Sequence, residues 1–132
     1  MAGLLIIAHA PLASALKAVA QHTFTECTAT VEAFDVTPDL QPADVAERAL
    51  PLLERVRDPA VLILTDVFHA TPCRGAQLLA ALPQVRLVAG VNVPMLWRSL
   101  CYATRDLDAL VELAEAGGNA GVMRVPGDVN TA

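Results

Sequence analysis

Two short runs constrain the fold of this chain more than anything else in it. Gly3–Ala8 reads GLLIIA and Ala60–Thr65 reads AVLILT, apolar at consecutive positions and not at alternate ones. A strand with one wet face alternates, whereas a strand covered on both faces reads as a continuous branched-aliphatic run, which is the signature of a parallel sheet between helical layers. Two further segments of strand length, Thr30–Val36 and Val85–Gly90, carry the same residue types. Between them lie amphipathic stretches. Pro11–His22 sets Leu12, Leu16 and Val19 on one side, and Pro42–Arg57 sets Val45, Ala49, Leu52, Leu53 and Val56 at helical spacing. Pro51 lies inside the second and predicts a kink or break there, because proline removes a backbone hydrogen bond.

Thr71-Pro72 reads as a helix start with the hydroxyl at the cap, and Pro83 closes that helix. Pro94 opens another helix, carrying Met95, Leu96, Leu100 and Ala103. Asp106 opens a last one, which Gly117-Gly118 is expected to end. A final short strand, Gly121–Val125, precedes a polar tail over 126–132. Strands regularly separated by helices give one α/β domain over residues 1–132: a three-layer sandwich around a mostly parallel sheet, with right-handed crossovers.

Composition narrows the function classes. Nine Lys and Arg against fourteen Asp and Glu leave a net charge of −5, which disfavours a nucleic-acid face. One Trp, one Tyr and three Phe are few for stacking on bases. Three cysteines, Cys27, Cys73 and Cys101, form no CxxC pair, so a disulfide framework or zinc knuckle is not expected and a reducing cytosol is the natural setting. Leu4–Ala8 is short, lacks a basic flank and is cut by His9 and Pro11, a poor signal peptide; no apolar stretch has the length of a membrane span.

In an open α/β sheet, ligands gather beyond the carboxyl ends of the strands where strand order reverses. His9 follows the first strand, Asp66 ends the third with His69 and Thr71 in the loop after it, and Asn92 follows the fourth. In a 2-1-3-4 order, His9 and Asp66 come within about 5 Å in backbone terms. The helix starts at Pro11, Pro72 and Pro94 open onto the same crevice and offer N–H groups to an anion. A carboxylate that takes one imidazole proton fixes the tautomer and leaves the other ring nitrogen a free lone pair, a nucleophile toward a phosphoryl group. No GxxxxGK[ST] loop or GxGxxG fingerprint supports a nucleotide site.

At these residues the chain resembles the mannose-family enzyme IIA proteins of the bacterial sugar phosphotransferase system. LLIIAHAPLASAL around His9, VLILTDVFHATP around Asp66 and VAGVNVPMLWRSL around Asn92 carry the resemblance, which runs from about Gly3 to Val125. It implies that His9 takes a phosphoryl group from the phosphocarrier HPr and passes it to a IIB component. It implies that Asp66 orients His9 and that Thr71 lies beside the phosphoryl group. It further implies a cytoplasmic homodimer in which the last strand crosses antiparallel into the partner's sheet. No cofactor and no metal are expected, and no nucleic acid or direct membrane insertion.

Two positions depart from the family pattern: His69-Ala70 stands where glycine-rich pairs are usual, and Arg74 where asparagine is common. Histidine at a glycine position bears on the turn, since glycine accepts positive φ cheaply. Arg74 offers positive charge to a phosphoryl group or faces a protein partner, and Asn92 is a further candidate phosphoryl contact. Three alternatives stay open at this point. One is a regulatory module whose phosphorylation state governs binding to a non-permease protein. Another is a metal-assisted or cysteine hydrolase built from His9, Asp66, His69 and Cys73. The last is a dihydroxyacetone-kinase phosphotransferase subunit, which matches the GVNVPML stretch less well.

Overall fold

The computed structural model describes residues 1–27 and 29–128, so residues 129–132 of the expected tail lie outside the described residues. In chain order the elements are β1 (Ala2–His9), α1 (Leu12–Thr23), β2 (Val31–Val36), α2 (Pro42–Val56), β3 (Ala60–Thr65), α3 (Thr71–Leu79), β4 (Val85–Ala89), α4 (Val93–Cys101) and α5 (Leu107–Ala120). The four strands form one sheet in the order β2-β1-β3-β4, and every neighbouring pair is parallel. The order expected from the sequence is thus the order found.

The continuous apolar runs occupy the two central strands, which explains their composition. Every residue of β3 and every residue of β1 before His9 is buried. Alternate side chains serve opposite layers. Leu4, Ile6, Leu62 and Leu64 pack with Leu16 of α1, Leu96 of α4 and Leu110 of α5. Leu5, Ile7, Val61 and Ile63 pack with Val45 and Leu53 of α2 and Leu79 of α3. Fully burying such a side chain is worth about 1.5–3 kcal/mol relative to leaving it exposed, so these two strands anchor both layers. At the edge strand β2, Glu32 receives Lys17 of α1 at 2.6 Å and Arg55 of α2 at 3.0 Å, tying the layers together across the sheet.

Three local expectations need correction. The helix runs through Pro51 without a break from Pro42 to Val56, its apolar face held down by Val45, Ala49, Leu53 and Val56. Thr71 does not cap α3: Ala70 is the cap residue, no side chain caps the helix, and Thr71 and Pro72 form its first turn. Gly117-Gly118 does not end α5, which continues to Ala120. These glycines instead permit close packing on α4, since a Cβ at Gly117 would stand 2.7 Å from Arg98 Cβ and one at Gly118 2.7 Å from Met95 Cε. Gly121–Val125, the segment expected to cross into a partner's sheet, is irregular in the single chain, with Val122, Met123 and Val125 more than two-thirds exposed. No helix among the described residues is long and apolar enough to cross a membrane.

Candidate functional site

The parallel register delivers the site. Ile7 of β1 lies level with Thr65 of β3, so the next residues on each strand, Ala8 and Asp66, leave the sheet together. His9 is the last residue of β1. Asp66 reaches it twice with one oxygen: Oδ2 accepts the His9 backbone N–H at 3.0 Å and stands 2.8 Å from His9 Nδ1. Its other oxygen, Oδ1, accepts the backbone N–H of Val67 at 2.8 Å, which locks the carboxylate's orientation. The loop is anchored beneath it by Gly90 N–H donating to Asp66 O at 2.8 Å and Val91 N–H donating to Thr65 O at 3.0 Å.

Burial alone pushes the Asp66 carboxyl up. The backbone N–H of His9, the His9 ring and the Val67 N–H outweigh it and hold the carboxyl below its ordinary value. An ionised Asp66 can only accept, so the neutral imidazole must carry its proton on Nδ1 and keep the lone pair on Nε2. The His9 side chain is 53% exposed and the Asp66 side chain 12%. Nε2 therefore faces outward from a fixed ring, without a partner among the described residues.

Three helix starts surround this end of the sheet, and they are not equivalent. In α1 the N–H of Ser14 is taken by Asp35 Oδ1 at 3.0 Å, and Ser14 Oγ donates to Asp35 Oδ2 at 2.6 Å. In α4 the N–H of Met95 is taken by Asn92 Oδ1 at 2.9 Å. Neither α1 nor α3 is capped by its own cap residue, but only in α3 does no side chain take the third N–H of the helix; the N–H groups of Thr71 and Cys73 and the Thr71 hydroxyl have no partners among the described residues. Unpaired N–H groups at a helix start carry the positive end of the helix dipole and suit an anion. The free donors and the free imidazole nitrogen belong to one loop-and-strand-end assembly.

The other residues singled out in the sequence fall as follows. Asn92 is an internal tie: besides capping α4, its Nδ2 donates to Gly118 O at 3.0 Å and so joins α4 to α5. Arg74 is exposed on the first turn of α3, and its side chain has no ion-pair partner among the described residues. His69 adopts φ 70°, the conformation anticipated for a glycine position, and its ring lies on Phe68 with centroids 3.9 Å apart. Cys73 is buried, and no three His, Cys, Asp or Glu side chains among the described residues gather as metal ligands.

Sequence reading missed Asp35. Its signal was a carboxylate at the carboxyl end of β2, beside the start of α1. The exposed Val67 and Phe68, 56% and 69% accessible, were also passed over; they form an apolar projection beside Asp66.

The carboxyl end of the parallel sheet thus joins a carboxylate-held histidine to a helix start with unpaired N–H groups. The chain belongs to the family described as the PTS system fructose IIA component, EIIA-man, whose profile matches residues 3–115. IIA components are phosphotransferase proteins of the sugar phosphotransferase system, and the chain takes that class.

Solved structures share the fold. The mannose/sorbose-specific IIA subunit of the phosphotransferase system from Enterococcus faecalis is similar with a TM-score of 0.82 and 22% identity, over 95% of each chain. The component EIIA from Streptococcus agalactiae gives 0.77 and 20% identity over 100% of each chain. The PTS IIA protein associated with the fucose utilization operon of Streptococcus pneumoniae gives 0.71 and 21%, over 93% of this chain and 96% of that one. A comparison with curated proteins finds no match.

Proposed function

We propose that His9 Nε2 accepts a phosphoryl group from phospho-HPr and passes it to a IIB component, in the cytoplasm, as one step of sugar uptake. A single observation carries the reading: Asp66 Oδ2 binds both the backbone and the ring of His9, at 3.0 and 2.8 Å, leaving Nε2 as the exposed nucleophile. The bond from phosphorus to the donor's leaving group breaks as the bond to Nε2 forms, so no proton needs to leave Nε2. The ring then carries positive charge, which the Asp66 carboxylate offsets. Positioning and charge complementarity supply most of what phosphoryl transfer needs.

The arriving phosphoryl oxygens have the Thr71 hydroxyl and the N–H groups of Thr71 and Cys73 as donors, with Arg74 supplying charge from the same helical turn. Asn92 takes a supporting part by holding α4, since its side chain already serves Met95 and Gly118. The exposure of His9 suits transfer between two proteins, and Val67 and Phe68 give a partner an apolar foothold beside it. The exposed Val122, Met123 and Val125 segment fits the strand exchanged with a second copy in a homodimer.

The test is incubation with phosphoenolpyruvate, enzyme I and HPr, followed by intact-mass measurement under alkaline conditions. The parent protein gains one phosphoryl group and His9→Ala gains none. Equal labelling of the two proteins defeats the assignment. Light scattering that gives a monomer at micromolar concentration defeats the dimer.

A further inference from the structure

Two cysteines distant in sequence meet on the α1/α4 side of the sheet. Cys27, in the connection between α1 and β2, and Cys101, the last residue of α4, place their sulfurs 2.7 Å apart across a separation of 74 positions. A second contact joins the same two segments, for the Phe24 ring stacks on Trp97 with centroids 5.3 Å apart and planes 2° from parallel. Both segments lie at the amino ends of the strands: Ala103 O accepts the N–H of Ala2 at 2.8 Å, and Thr30 O accepts the N–H of Leu4 at 2.9 Å. The pair is therefore at the far end of the sheet from His9. Cys73 sits across the sheet, on α3, outside this pairing.

We propose that Cys27 and Cys101 form a reversible thiol–disulfide exchange site that reacts with low-molecular-weight disulfides of the glutathione type. Cys101 is exposed and Cys27 half-buried, so an incoming disulfide meets Cys101 first. Burial, and next the neighbouring Cys101 sulfur, push the Cys27 thiol up to about 11, which keeps it protonated while Cys101 reacts. In the first step the Cys101 thiolate attacks one sulfur of the small disulfide. A mixed disulfide forms on Cys101, and one small thiolate leaves and takes up a proton. In the second step Cys27 gives its proton to solvent and its sulfur attacks the Cys101 sulfur of the mixed disulfide. The protein disulfide forms, and the second small thiolate leaves and is protonated. Two protein thiols lose two electrons and two protons, and one small disulfide becomes two small thiols. Excess small thiol runs the sequence backwards.

The bond would close a loop spanning β2, α2, β3, α3, β4 and α4, and so staple the α1–β2 connection to the end of α4. Cross-linking over so long a loop restricts the unfolded chain and raises the melting temperature by roughly 10 °C for a domain of this size. Trp97, one helical turn before Cys101 and the chain's single tryptophan, reports the change by fluorescence.

The experiment treats the reduced full chain with oxidised glutathione, quenches with acid and reads intact mass, peptide map and melting curve. The expected product is lighter by two hydrogens, links the Cys27 and Cys101 peptides, retains no glutathione and melts roughly 10 °C higher. Dithiothreitol reverses all of it. Cys27→Ser stops at a glutathione adduct on Cys101, and Cys101→Ser forms no cross-link. A parent protein that stops at a stable glutathione adduct overturns the proposal. So does one that links to Cys73 or to a second copy, or one that is inert to the probe.

Discussion

Replacing Asp66 by Asn tests the chemistry at its hinge, because the carboxylate does three jobs with two oxygens. Oδ2 accepts from the His9 backbone and faces His9 Nδ1, and Oδ1 accepts from Val67 N–H. An asparagine has one acceptor oxygen and one donor nitrogen at these places. With the oxygen turned to His9, the amide nitrogen opposes the Val67 N–H. Turned the other way, it opposes the His9 backbone donor and forces the imidazole proton from Nδ1 to Nε2, consuming the lone pair that must be loaded. The first orientation keeps the geometry and loses the charge that offsets the developing imidazolium. A hydrogen bond to a charged group is worth about 1.5–3 kcal/mol, which translates to a transfer rate lower by roughly 10- to 150-fold. Single-turnover transfer from isotopically labelled phospho-HPr measures it, with circular dichroism and a melting curve establishing that the variant is folded. A folded Asp66→Asn protein that is loaded within twofold of the parent rate refutes the orienting role.

Asn92→Ala removes the α4 cap and the tie to Gly118 O, and should cost about 2 kcal/mol by chemical denaturation while folded protein is still loaded on His9. A loading rate that drops tenfold in folded protein would instead give Asn92 a direct phosphoryl contact. Gly117→Val places a side chain against Arg98 Cβ and should destabilise by about 1–3 kcal/mol, read from the denaturation midpoint. Acid stability draws on carboxyls held low when folded, among them Asp66 as described and Glu32 through hydrogen bonds from Lys17 and then Arg55. Because their folded pKa values lie below the ordinary 3.8 and 4.5, their stabilisation is fully present above that range. It is lost as pH falls through the folded values. A melting-temperature series should thus decline below about pH 4.5, less steeply in Glu32→Gln, and an identical acid limb in that variant would contradict the ion-pair account.

Much of the fold was legible because burial writes itself into consecutive residues. The runs at β1 and β3 announce central parallel strands, and the loop residues at their carboxyl ends then fall at the functional edge by topology alone. His9 and Asp66 followed from that reasoning. The errors concern positions where a neighbouring element overrode a local preference. Pro51 stays within α2 because four buried side chains hold the helix to the sheet. Gly117-Gly118 looks like a stop signal, yet both glycines are the contact surface for Arg98 and Met95 of α4. Thr71 has the composition of a cap, but the chain begins its first helical turn there, and the hydroxyl stays available.

The pattern of apolar and polar residues by itself determined the layered α/β architecture, since burial on both faces leaves a continuous apolar run; the strand order, and with it the pairing of His9 with Asp66, came from the family resemblance and the fold. Tertiary structure decided at which helix starts a side chain takes the third N–H. That depends on whether Asp35 reaches Ser14, whether Asn92 reaches Met95, and whether anything reaches Thr71, and each is a contact made through space. It likewise brought Cys27 to Cys101, a meeting that no spacing of cysteines along the chain foretells.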